Sequence, residues 1–131
     1  MIPLLIIIII LVVHFLADFV LQSHKSASRK HKDIGALLEH TISYSLPWLI
    51  IMALIYYSVD DPNFFIKGVL FTLVTFVSHT IIDYCTSKLG MHLLIISRKK
   101  ENYHNYFVNI GFDQLLHTVL LFTTYIVILK G

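Results

Sequence analysis

Residues 2–21 read Ile-Pro-Leu-Leu-Ile-Ile-Ile-Ile-Ile-Leu-Val-Val-His14-Phe-Leu-Ala-Asp18-Phe-Val-Leu. An apolar run of this length matches the roughly 20 residues a helix needs to cross a bilayer. Only His14 and Asp18 interrupt it, and their spacing of four puts both on one helical face. Ionisable groups at membrane depth are costly, so such a pair marks a functional position. Three further apolar stretches follow, at 37–57, 64–84 and 107–129. Each carries a polar set of its own: Glu39 with His40, His79 with Asp83, and Asp113 with His117. The pattern predicts an all-α polytopic membrane protein, a bundle of four transmembrane helices forming one domain over residues 1–131.

Composition agrees. Charged residues make up 14% of the chain and hydrophobic ones 56%, against about 25% charged in soluble domains. The first stretch lacks a basic leader and a small-x-small cleavage site, so it is expected to be retained rather than removed as a secretion signal. The single cysteine, Cys85, excludes an internal disulfide and fits no CxxC motif, and a small buried thiol is its expected role.

Charge distribution sets an expected orientation. Lys25, Arg29, Lys30 and Lys32 fall in the loop at 22–33, and Lys88, Arg98, Lys99 and Lys100 in the loop at 86–106. The positive-inside rule puts both loops in the cytoplasm and both termini outside, as in a bacterial inner-membrane protein. Topology accounts for these charges, and no nucleic-acid partner is needed. With this orientation, every His and Asp of the apolar stretches falls within roughly 3–14 Å of the cytoplasmic boundary at 1.5 Å per residue. Helices of alternating direction thus converge on one polar layer. Segment 89–96, apolar and flanked by Lys88 and Arg98, is expected to form an interfacial helix between the third and fourth spans. His14 to Asp18 and His79 to Asp83 also look like the matching ends of an internal repeat.

Imidazole and carboxylate together suit zinc, with iron or manganese as further candidates. The predicted ligands for one or two divalent ions are His14, Asp18, His40, His79, Asp83, Asp113 and His117. Such ions acidify water and clamp the oxygens of a displacement. Glu39 is turned about 100° from His40 and is assigned the general-base role. Gln22 and Gln114 are expected to orient ligands or substrate, while Tyr44 is assigned to packing. A metal-free polar network for protons or ions is the competing reading. Haem ligation explains the carboxylates poorly, and a purely structural or lysis-related protein leaves the ionisable layer unexplained.

The run His14-Phe-Leu-Ala-Asp18-Phe-Val-Leu-Gln22, together with Leu38-Glu39-His40, His79-Thr-Ile-Ile-Asp83-Tyr and Phe112-Asp113-Gln114-Leu-Leu-His117, resembles an uncharacterised family of small bacterial and phage membrane proteins, a domain of unknown function. More distantly it is similar to membrane-bound metal-dependent hydrolases with repeated HxxxD motifs, and through that motif to the all-helical zinc phospholipase C and P1 nuclease group. The resemblance implies zinc-dependent phosphoester hydrolysis, with His14, Asp18, His79 and Asp83 at the matching ligand positions. The expected activity is therefore hydrolysis of a phospholipid or other lipid-linked phosphoester at the cytoplasmic leaflet. Arg98, Lys99 and Lys100 are expected to hold the anionic head. The alternative is a proton or metal-ion channel or transporter. Beyond the bilayer and a lipid-like substrate, a second copy of the chain is a candidate partner, because four helices are few to enclose such a site.

Overall fold

The computed structural model describes residues 3–131; Ile2, the first residue of the expected first stretch, lies outside them. The described chain is helical throughout, without strands. Helix α1 spans Leu4–Phe15 and widens into a π-helical turn over Leu16–Val20. A short α2, His24–Arg29, leads to α3 at Ile34–Tyr56. Helix α4 covers Phe64–Lys100, and α5 covers His104–Thr124 before ending in a π-helical segment, Tyr125–Lys130.

The starts follow from local chemistry. Ser23 accepts the Ser26 N–H at the head of α2, and Asp33 accepts from Gly35 and Ala36 at the head of α3. Each satisfies amides that the first helical turn leaves free. Helix α4 stops at Glu101, whose φ of 52° is left-handed. Backbone amides there return to the Ser97 carbonyl, and a turn of three residues leads directly into α5.

Three helices, Ile34–Tyr56, Phe64–Lys100 and His104–Lys130, are long and apolar enough to cross a membrane, while Leu4–Val20 is apolar but shorter. The surface supports a lipid setting. Leu5, Ile8, Leu46, Ile66, Leu73 and Val127 all face outward, whereas polar side chains outnumber apolar ones among the buried residues. This reverses the distribution expected in water.

Two expectations are corrected here. Residues 86–106 do not form a loop with a separate interfacial helix at 89–96; α4 runs unbroken for 37 residues to Lys100. At 1.5 Å per residue that is about 55 Å, against a hydrocarbon core of about 30 Å. The last turns of α4 and the first of α5 therefore pair as a hairpin beyond the length a span requires. Gly90 does not break the helix. A Cβ there would lie 3.0 Å from Asn109 Nδ2, so its small size lets α5 close on α4. Cys85, expected to be buried, is exposed, because it lies on the outer face of α4 beside Tyr84.

The bundle has two unlike ends. Where α1 begins and α3 ends, Ile10, Trp48, Met52, Phe64, Phe71 and Leu121 form an apolar core. Trp48 meets the Phe71 ring edge-on at 5.7 Å. Gly68 lets α4 approach Met52, whose Cβ would sit 3.0 Å from an added methyl group. Pro47 is accommodated inside α3 without ending it. The opposite end is filled by polar groups.

Candidate metal centre

Four helices each supply part of the polar end. Helix α3 brings His40, α4 brings His79 and Asp83 one turn apart, and α5 brings Asp113 and His117 with the same spacing. Asp18 comes from the π-helical turn that follows α1. His40, His79, Asp83 and His117 are at most 2% exposed, so one chain alone encloses them.

Three imidazoles present Nε2 to three carboxylates. His40 Nε2 is 3.1 Å from Asp18 Oδ1 and 2.9 Å from Asp83 Oδ2. His79 Nε2 is 3.5 Å from the same two oxygens and 3.1 Å from His40 Nε2. His117 Nε2 is 3.5 Å from Asp83 Oδ1 and from Asp113 Oδ1. Ring stacking orients the imidazoles: Tyr44 lies on His79 at 3.7 Å and 9°, and His79 lies on His117 at 4.1 Å.

The donor set fits a divalent ion. Ligands bound tetrahedrally at 2.0–2.1 Å lie about 3.3 Å from one another, within the range these atoms already span. Charge points the same way. Two buried carboxylates, Asp18 and Asp83, and the half-buried Asp113 face one ammonium, that of Lys30 at 3.0 Å from Asp83 Oδ2, and with neutral imidazoles two negative charges are left for a dication to cancel. Three groupings bring ligand atoms together: Asp18–His40–His79, His79–Asp83–His117 and Asp18–Asp113–His117. A neutral imidazole has one lone pair to give, whereas a carboxylate can bridge. Two ions are therefore compatible only with the first and third groupings, which share Asp18.

His14 stands beside this cluster. Gln114 Nε2 donates to Asp18 Oδ2 at 2.9 Å and to Asp113 Oδ2 at 3.1 Å. That fixes its amide, so its Oε1 must accept from His14 Nε2 at 3.1 Å. His14 Nδ1 is then the acceptor for the Tyr44 hydroxyl at 2.9 Å. The expected ligand has both nitrogens engaged in aligning Gln114, which in turn ties Asp18 to Asp113. His14 and Asp18 thus still face one Gln114 amide across the wider turn over Leu16–Val20, closed by Leu21 N–H to Leu16 O at 2.9 Å, but only Asp18 reaches the imidazoles of the cluster. The suggested repeat does not carry over to roles either, since His79 belongs to the cluster and His14 does not.

Other expected positions fall elsewhere. Glu39 is exposed and accepts the Ser23 hydroxyl at 2.8 Å, joining the start of α3 to the cap of α2. Arg98, Lys99 and Lys100 are exposed in the last turn of α4, about 22–26 Å along the axis from Asp83 at 1.5 Å per residue. The cation beside the cluster is Lys30, which sequence reasoning had counted only toward topology. Thr86, whose hydroxyl donates to Asp113, was also missed. Gln22 is half-buried in the wall of a cavity of about 370 Å³. Asp18, Asp83, Asp113, Lys30 and His31 belong to its lining as well. His24, His92 and His104 are exposed.

Residues 6–130 match the family described as "Protein of unknown function (DUF3307)", and the chain belongs to it. No curated protein and no solved structure matches.

Proposed function

We propose that this chain is a metal-dependent hydrolase held in the membrane by four spanning helices, cleaving a phospholipid or another lipid-linked phosphoester. The observation that carries the proposal is a three-His, three-Asp cluster, buried except at the half-buried Asp113, whose carboxylates line a cavity shared with a lysine. Helix α1 with its π turn supplies the fourth span, its 17 residues covering about 26 Å. The basic residues of α2 and of the α4 end all lie on the cluster side, which favours a cytoplasmic-facing site in a bacterial inner membrane. Resemblance of the His79 and Asp83 pair to the HxxxD motif of membrane-bound hydrolases adds support.

Asp18, His40, His79, Asp113 and His117 would hold one or two ions, with Asp83 shared between His40, His79 and His117. A divalent ion, zinc by preference for this donor set and iron or manganese otherwise, supplies acidified water and countercharge for phosphoryl oxygens. Lys30 neutralises the substrate phosphate at the cavity edge. Gln114 keeps Asp18 and Asp113 in register, and the Tyr44 ring holds His79 in place. Hydrolysis puts the oxygen of water on phosphorus and a proton on the departing alcohol, so no other co-reactant is needed.

The His40 to His79 contact of 3.1 Å favours a second reading, a proton or metal-ion transporter. That reading needs a polar route onward, and the Ile10, Trp48, Phe71 and Leu121 core stands in its way. Elemental analysis of the detergent-purified protein separates the two. One or two metal ions per chain, with phosphoester hydrolysis and both lost in His79→Ala, is the expected result. A protein that takes up no zinc, iron or manganese on reconstitution would put the proton relay first.

A further inference from the structure

The cavity beside the cluster has a lining of two chemistries. Asp18, Asp83, Asp113 and Lys30 supply charge, whereas Phe19, Met91, Leu94 and Ile110 supply apolar surface. Two of these apolar residues also belong to the outside of the bundle: Phe19 is 44% exposed and Ile110 36%. A residue that lines a cavity and also faces outward marks where the cavity opens. Phe19 stacks on Phe15 with ring centres 5.5 Å apart, and Phe15, Val20 and Phe112 are exposed as well. The opening therefore gives onto the apolar face that the bundle turns to lipid. Backbone packing accounts for it. Among the described residues, no Cα of the π-helical turn over Leu16–Val20 comes within 8 Å of a Cα of α5, and α2 packs against α3 alone. Packed helices run about 8–10 Å apart, axis to axis, so the turn and α5 leave a slot between them. The hydrogen bond from Gln114 Nε2 to Asp18 Oδ2 crosses it at 2.9 Å.

Resting on the hydrolase reading, we propose that this slot is a lateral portal through which a lipid phosphate reaches the cluster, its phosphate on the charged lining and the first carbons of its chain between Phe19 and Ile110. The charged and apolar parts of the lining are close together. Phe19 follows Asp18 directly, and Ile110 precedes Asp113 by one helical turn, about 4.5 Å along the axis. The ligand is therefore one whose phosphate stands within a few atoms of an apolar chain, as in a phosphatidyl lipid or the phosphate of a long-chain alcohol. A lipid with a sugar or peptide between phosphate and chain does not match that spacing. A volume of about 370 Å³ is near the lower end for ligand sites. It takes the phosphate and those first carbons and leaves the rest of the chain in the bilayer.

The test uses the full chain in detergent, loaded with zinc, and isothermal titration with methyl, butyl and hexyl phosphate, all soluble in water. Butyl phosphate is expected to bind about tenfold more tightly than methyl phosphate, the effect of three methylenes half removed from water, and hexyl phosphate more tightly again. Phe19→Ala and Ile110→Ala, both at partly exposed positions, should each cut the ratio of hexyl to methyl affinity several-fold, with zinc per chain unchanged. Either variant suffices if the other does not fold. Equal affinity for the three phosphates overturns the inference and leaves the hydrolase reading intact, because the phosphate still binds. A chain-length preference of undiminished size in the folded variants overturns it too, since the preference then arises from the micelle or another surface. Zinc-loaded protein that binds none of the three overturns both.

Discussion

At one end of the bundle Ile10, Trp48, Met52, Phe71 and Leu121 close on one another; at the other, Asp18, His40, His79, Asp83 and His117 fill the equivalent central space with charge. Lipid tails are as apolar as the first set, so burying those residues among helices gains close packing rather than release from water. Small residues such as Gly68 matter there because dispersion falls off steeply with distance. The polar end works by opposite rules. Its groups cannot face lipid, and each must find a partner among the other helices or in a ligand. The apolar end should therefore be sensitive to volume and indifferent to ions, and the polar end the reverse.

The largest expected effect is at Asp83, which three imidazoles and Lys30 approach together. Asp83→Asn keeps the shape and removes the charge. Metal affinity should fall by about 100-fold or more, since loss even of a ligand's outer partner costs 10–100-fold. Titration calorimetry reads the affinity, and circular dichroism should show the helices retained. An unchanged affinity would end the comparison at its polar side. Next comes Trp48→Ala. Removing this ring should destabilise the protein by about 3–5 kcal/mol, seen as a lower unfolding midpoint in detergent, while the folded fraction binds the same number of ions. A change in metal stoichiometry would mean that the two ends are coupled.

His14→Phe sharpens the boundary between them. The ring volume stays, but the links to Tyr44 and Gln114 go. Metal affinity is expected to drop about tenfold with stoichiometry intact; loss of one whole ion would make His14 a ligand after all. The smallest effect lies outside both ends. Glu101 occupies the left-handed region, and Glu101→Gly should stabilise the turn by roughly 0.5–1 kcal/mol. A small rise in melting temperature with unaltered metal binding is the expected reading.

Much of this was legible from residue order. Apolar runs of spanning length, the His and Asp pairs within them and their common depth all follow from two local facts, the helical period and the cost of ionised groups in lipid. Five of the seven predicted ligands, with Asp18 as the bridging candidate among them, belong to the groupings that two ions can share, and Asp83 completes the cluster. The continuation of α4 was not legible, because nothing local distinguishes a glycine that ends a helix from Gly90, which admits a neighbouring one. Glu39 and Arg98 to Lys100 show the same limit: their charge suits the proposed chemistry, but their direction and distance do not.

By itself, then, the sequence determined that this chain is helical and apolar outside, with a layer of imidazoles and carboxylates shared by its helices, because those properties depend on spacing along one chain. Tertiary structure alone decided that His14 aligns Gln114 while His40, His79 and His117 face the carboxylates. It also decided that Lys30, rather than the distant Arg98 cluster, reaches Asp83. Both depend on which side chains the neighbouring helices bring together and how closely they approach, and a few tenths of an ångström across a packed interface are not written in any local pattern.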